Sequence, residues 1–321
     1  MKLLSKKNLI STAVIILFYV FTQLMINAGA IDSYIFLNVV LIGINIILAV
    51  SLNLITGFTG QFSLGHAAFM SIGAYASAVV TAKLGYPFII GILFAGCLAS
   101  AAGVLIGIPT LRLRGDYLAI ATLGFGEIVS IVGLNIEYIG GATGFNDIPM
   151  YTNWTWLFFL TAAAVILIRN FIKSYHGRAC ISIGEDEIAA EAIGVNTTYY
   201  KVLAFAIGAF FAGIAGALYA NYFTFIKPDS FGFMKSIDIL VIVVFGGIGS
   251  IGGSIAGAVV LSLISVFLQD IPELRMVIYA VILFVIMVYR PQGLFGKQEF
   301  KLLNKLFKKK GVKTYVSSEG K

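Results

Sequence analysis

Few side chains in this 321-residue sequence could do chemistry. Its two histidines, His66 and His176, lie in different regions, and no spacing suggests a Ser–His pair or a metal cluster. Cys97 sits within an apolar run and Cys180 lies close to Arg178; the pair suggests packing residues and no disulfide framework. Nothing points to a cofactor, a metal or a nucleic acid. Glu127 is the most conspicuous ionisable residue, because it lies well inside the apolar run 117–135. An ionisable group in such a run marks a pathway or gating role by default. A protonated or hydrogen-bonded helix contact is the competing reading. Asp238 begins another run and suits an interfacial place, and His66 reads as a structural donor beside a glycine turn.

The other concentration of charge is GRACISIGEDEIAAEAIGVN, residues 177–196. Ser182 and Glu185 have the spacing of a capping box, and Glu185, Asp186 and Glu187 occupy the first turn, where the helix dipole favours negative charge. Ile188 pairs with Ala192 and Ala189 with Ile193 along one face, while Gly194, helped by Asn196, ends the helix in a left-handed cap. Such a helix is too short to stand alone. Anionic lipid would repel Glu185, Asp186, Glu187 and Glu191, which leaves its own bundle or a separate protein with a groove for a small apolar stripe.

The elements that must position these groups are membrane helices. The chain is 59% hydrophobic and only 12% charged, with a mean hydropathy of +0.97. Long apolar runs without alternation exclude a barrel, so the fold class is an all-α polytopic bundle. Ten spans are expected at 9–29, 34–56, 62–82, 88–109, 117–135, 153–171, 201–222, 236–249, 254–270 and 274–290. The region 236–270 could instead hold one span and a re-entrant piece. With both termini cytoplasmic, all of the 22 basic residues except Lys83, Lys227, Lys235 and Arg275 fall inside. Arg112 and Arg114 then anchor a short inner loop, and 172–200 is the longest internal cytoplasmic loop. The first run is read as an uncleaved helix in preference to a signal peptide.

Residues 1–296 form the membrane domain on this reading, and 297–321 a basic cytoplasmic tail suited to an anionic inner leaflet. Two glycine-rich stretches, NLITGFTGQFSLG (53–65) and VVFGGIGSIGGS (243–254), each follow an inward-running span, which suggests an internal parallel repeat. Glycine turns at membrane depth belong against protein or a water-filled cavity, so Gly57, Gly60, Gly65, Gly246, Gly247, Gly249, Gly252 and Gly253 are expected to face inward. Small residues every fourth position, as at Gly208, Ala212 and Gly216, predict tight helix contacts. Asn45, Asn53 and Gln61 are expected to bond between helices.

A wider pattern carries a resemblance. NLITGFTGQFSLGHAAFMSIGAYASA (53–78), RLRGDYLAIATLGFGEI (112–128), GRACISIGEDEIAAEAIGVN (177–196), FGGIGSIGGSIAGA (245–258) and YRPQGLFG (289–296) resemble, in that order, the LivM-type permease of branched-chain amino acid importers. Ala189-Ala190-x-x-x-Gly194 is similar to the cytoplasmic EAA loop of ABC importer permeases, with Ile188 at the family's glutamate position. The resemblance implies a cell-membrane (inner or plasma membrane) subunit of a prokaryote. It also implies a second, LivH-type permease, two cytoplasmic ATPases and an extracellular substrate-binding protein as partners, besides membrane lipid.

The same resemblance makes Glu185, Asp186, Glu187, Ile188, Ala189, Ala190, Glu191 and Gly194 the ATPase-coupling residues. The in-span charge and the inward-facing glycine turns make Glu127, Gly57, Gly60, Gln61, His66, Gly246 and Gly249 the candidates for the translocation pathway, where Glu127 could meet a substrate ammonium. No G-x-x-x-x-G-K-[ST] is present, so ATP energy must enter through a partner. Relatives in the broader superfamily move urea, nucleosides or sugars. A secondary transporter coupled to ions through Glu127 or Asp238, an intramembrane enzyme and a membrane scaffold are the rival classes.

Overall fold

A computed structural model describes residues 19–29, 32–110 and 115–268, together with residues 17, 113, 271, 277, 278, 280, 281, 284, 285, 288, 289 and 293. Arg112, Arg114, most of the span expected at 274–290 and the basic tail lie outside the described residues.

Among the described residues, ten named α-helices follow a helical stretch at 19–27. They are α1 (Ser33–Asn53), α2 (His66–Ala78), α3 (Phe88–Thr110), α4 (Asp116–Asn135) and α5 (Trp154–Lys173), then α6 (Tyr175–Glu185), α7 (Glu187–Ala192), α8 (Thr197–Phe223), α9 (Phe233–Gly246) and α10 (Ile251–Phe267). α1 continues into a π-helix over Leu54–Phe58, and α2 into another over Val79–Lys83. Among the described residues, five helices are long and apolar enough to cross a membrane: Ser33–Phe58, α3, α4, α5 and α8. The molecule is therefore a helical bundle with the composition of an integral membrane protein.

α8 is the central post. It packs on α1, α2 and α3, and its buried face is built of alanine and glycine with Phe205, Phe211 and Leu218. A Cβ built on Gly216 would lie 1.9 Å from Met70 O, and one on Gly73 would lie 2.3 Å from Gly213 Cα. Only glycine lets α2 and α8 come this close, as the small-residue spacing predicts. Inside this seam Asn221 donates to Ser77 Oγ at 2.8 Å and accepts from Thr81 Oγ1 at 3.1 Å, so the buried amide is paired.

On the other side of α1 stands a hairpin of α9 and α10. Gly246 and Gly253 face each other there, with a Cβ on Gly246 falling 2.2 Å from Gly253 O. The region 236–270 thus holds two antiparallel helices. The 14 residues of α9 measure about 21 Å, short of a ~30 Å hydrocarbon core. Its first turn reaches the middle of α1, where Lys235 Nζ donates to Asn45 Oδ1 at 3.4 Å.

The structure moves several expected boundaries. The second span runs on to Phe58 through its π-turn, the third starts at His66, and the eighth and ninth each lie three residues earlier than expected. At the outer end implied by the charge distribution, Lys83 Nζ lies 3.7 Å above the Tyr138 ring and bonds the Tyr138 carbonyl, while Phe145 and Ile226 form an antiparallel bridge.

Candidate functional site

The stretches singled out in the sequence converge at one end of the bundle. Asn53, buried near the end of α1, makes the first junction. Its Nδ2 donates to Ser250 O at 2.9 Å and to Ser254 Oγ at 2.7 Å, and its Oδ1 accepts from Gly249 N at 2.9 Å. Gly57 lies one helical turn on, where a Cβ would fall 1.8 Å from Asn53 Oδ1 and 2.4 Å from Gly249 N. The two glycine turns therefore meet face to face. Gly293, from the 289–296 stretch, closes on the second turn, with a Cβ position 2.4 Å from Gly247 Cα.

The first turn also carries Gln61 and His66, both buried. Gln61 N donates to Ile55 O at 3.1 Å, and Gln61 Nε2 donates to Lys201 O at 3.4 Å. His66 opens α2 and lies 2.8 Å from Ser51 Oγ through Nε2. Ser51 already donates its hydroxyl to Leu48 O at 3.0 Å, so Nε2–H is the donor and Nδ1 is left as a bare acceptor. Asn45, Asn53 and Gln61 all bond between elements, as expected, and His66 holds a structural bond. α4 joins through Thr122, whose Oγ1 accepts from Leu64 N at 3.0 Å. Glu127, five residues further along α4, is exposed on the helix flank and stands apart from this cluster.

The charged insert is two helices, not one. Ser174 caps α6, and Ser182 lies inside it with its hydroxyl bonded to Ala179 O at 2.8 Å. The expected capping box is thus displaced: Asp186 is the N-cap of α7, its Oδ1 accepting from Ile188 N at 2.9 Å and Ala189 N at 3.0 Å. Asp186 is extended at φ −156°, which breaks the helix, and its free carboxylate reaches two orphan N–H groups that Ser182 cannot.

Gly194 does close α7, at φ +88°. Gly194 N bonds Glu191 O at 2.9 Å and Val195 N bonds Ala190 O at 3.1 Å, the paired bonds of a Schellman motif. Asn196 instead caps α8 by accepting from Tyr199 N at 3.0 Å.

The insert is held by its own bundle on one side and bare on the other. Ala190 is buried, and Glu187 Oε2 lies 2.7 Å from Lys201 Nζ on α8. Gly184 in α6 seats directly on the first glycine turn, where a Cβ on Gly60 would fall 3.1 Å from Gly184 Cα. Ile188, Ala189, Glu191 and Ile193 face outward, with Ile188 69% and Ile193 77% exposed. Exposed β-branched side chains beside a carboxylate are the ingredients of a docking surface. Lys201 escaped the sequence reading, which counted it only as a cytoplasmic charge. Its isolation at the head of an apolar helix was the available signal.

A family model described as "Branched-chain amino acid transport system / permease component" matches residues 34–287. The chain is 36% identical over 305 residues to the high-affinity branched-chain amino acid transport system permease protein LivM of Escherichia coli, covering 84% of this chain and 71% of that one. It is 28% identical over 290 residues to LivH of the same organism, a permease protein of the same description, covering 79% and 91%. Among solved structures, PsaBC from Streptococcus pneumoniae in complex with Fab aligns with a TM-score of 0.47 at 16% identity, over 88% of this chain and 99% of that chain.

Proposed function

The chain belongs to the family of branched-chain amino acid transport permeases, and from that premise we propose that it is one of two membrane subunits of an ATP-driven importer of leucine, isoleucine and valine. The family membership and the likeness to both LivM and LivH support a second, related permease as its partner. Two cytoplasmic ATP-binding subunits and an extracellular binding protein complete the assembly. On this reading the chain has ten spans with both termini in the cytoplasm of a prokaryote. Residues 1–296 are the membrane domain in the cell membrane, and 297–321 are a basic tail at its inner surface.

The observation that carries the proposal is the capped helix α7, anchored inward by Ala190 and Glu187 and presenting Ile188, Glu191 and Ile193 outward. ATPase closure pushes this handle, and the bundle moves between outward-facing and inward-facing states. Residues 185–194 are the coupling element. Gly57, Gly60, Gln61, His66, Gly246 and Gly249 form the gate region at the cytoplasmic end of the path. An exposed carboxylate within a span is costly against lipid, so we assign the Glu127 flank of α4 to the side of the second permease, where it lines the path.

The test is reconstitution of the full complex in vesicles. Leucine import should require ATP inside and the binding protein outside. Ile188→Asp together with Ile193→Asp should leave the chain folded and paired with its permease partner. It should lose the ATPase subunits and about tenfold or more of import, as expected when central apolar anchors are removed. Undiminished ATPase binding and import by that variant would sink the handle. Ion-driven accumulation by the chain alone would replace the whole reading with a secondary transporter.

A further inference from the structure

We infer that the Glu187–Lys201 ion pair is the joint that makes α7, α8 and the first glycine turn move together, an inference that rests on reading residues 185–194 as the ATPase handle. Lys201 is gripped from two directions. Its Nζ meets Glu187 Oε2 at 2.7 Å, and its own carbonyl accepts from Gln61 Nε2 at 3.4 Å. Gln61 in turn bonds back to the π-turn of α1 through Ile55 O. One residue thus links the handle, the post of the bundle and the turn that faces Gly249.

The other contacts of α7 differ in kind. Ala190 offers a small apolar face, which can slide. A short charge-assisted hydrogen bond is directional and resists both shear and rotation. Asp186, capping α7 immediately before Glu187, fixes the azimuth of the helix so that Glu187 points inward while Ile188 and Glu191 stay on the free side.

Exposure decides which variants are informative. The side chains of Lys201 and Glu187 are 8% and 25% exposed. Removing Glu187 alone strands a nearly buried cation, which is strongly destabilising, whereas removing Lys201 leaves a carboxylate that can reach water. Lys201→Met and the double variant E187M/K201M are therefore the working pair, with the charge swap E187K/K201E as rescue.

In the complete complex, both Met variants should assemble to wild-type yield and keep hydrolysing ATP. The ATP consumed per leucine imported should rise about fivefold or more, and the swap should bring it back to within about twofold of wild type. A merely structural pair would lower hydrolysis and import in proportion and leave that ratio unchanged, which overturns the inference. Failure of E187M/K201M to assemble also overturns it, because that variant removes both charges of the pair. Two controls separate the readings: ATP-dependent import by the wild type upholds the importer, and loss of the ATPase subunits in the Ile188→Asp, Ile193→Asp variant upholds the handle, so the joint can fail while both stand.

Discussion

Asn53 clasps the backbone of Gly249 and both hydrogen-bonding ends of its amide are spent on the same hairpin, through Gly249 N, Ser250 O and Ser254 Oγ. The two glycine turns are joined by this one side chain. Asn53→Ala should orphan the Gly249 N–H, at about 1–3 kcal/mol for a group left unpaired, while Ser250 O keeps its bonds from Ser254 N and Ser254 Oγ. Thermal unfolding in detergent measures this, and an unchanged midpoint would show the clasp to be dispensable.

The contacts between α2 and α8 predict a contrast between two glycines. Gly216→Ala drives a methyl into Met70 O, 1.9 Å away, and should cost about 1–3 kcal/mol. Gly124→Ala meets nothing within 4 Å and should stay within about 0.5 kcal/mol of wild type in the isolated chain. Parallel unfolding curves check both, and equal effects would contradict the packing described.

Helix α7 depends on its ends. Asp186→Ala removes the bonds to Ile188 N and Ala189 N, and Gly194→Ala forces a side chain into φ +88°. Each should cost about 1 kcal/mol. Hydrogen exchange over 187–195 should quicken about fivefold, the equivalent of ~1 kcal/mol of local opening, while α8 stays protected. Acceleration spread through the whole bundle would mean that α7 has no independent caps.

Cys180 should be a poor nucleophile. Burial pushes its thiol up to about 11 from the ordinary 9.0, and its Sγ bonds Tyr200 O at 3.7 Å. The fold favours the neutral form. This contribution to stability is whole below the ordinary thiol pKa and is lost as the pH rises toward about 11. Iodoacetamide at neutral pH should leave Cys180 unmodified in the folded chain and label it on unfolding. Prompt labelling of folded protein at pH 7 would contradict the burial.

The long helices were legible in the sequence because hydropathy alone specifies them. Phe88–Thr110 and Trp154–Lys173 fall within two residues of their expected ends. What hydropathy cannot see is where a helix stops when a tertiary bond stops it. α1 loosens into a π-turn beside Asn53, whose amide is engaged by the facing hairpin, and that partner lies about two hundred residues away. The acidic insert was legible as a short helix with a glycine cap. Its true start was hidden, because Ser182 and Asp186 are both good caps, and only in the fold is Ser182 enclosed within α6 while Asp186 turns extended and caps α7. The sequence offered four carboxylates with no way to tell which turned inward, and Lys201 makes that choice for Glu187. Glu127 was legible as an anomaly, and the fold places it exposed on the flank of α4, away from the glycine turns.

The seating of Gly184 on Gly60 leaves no compliant material at that contact between the insert and the membrane domain. Side chains would act as springs there and absorb a displacement of a few tenths of an ångström, since interiors are stiff but rotamers can yield. Bare main chain against bare main chain has no such play. A methyl added at either residue would act as a shim, resetting the rest position of the insert against the bundle.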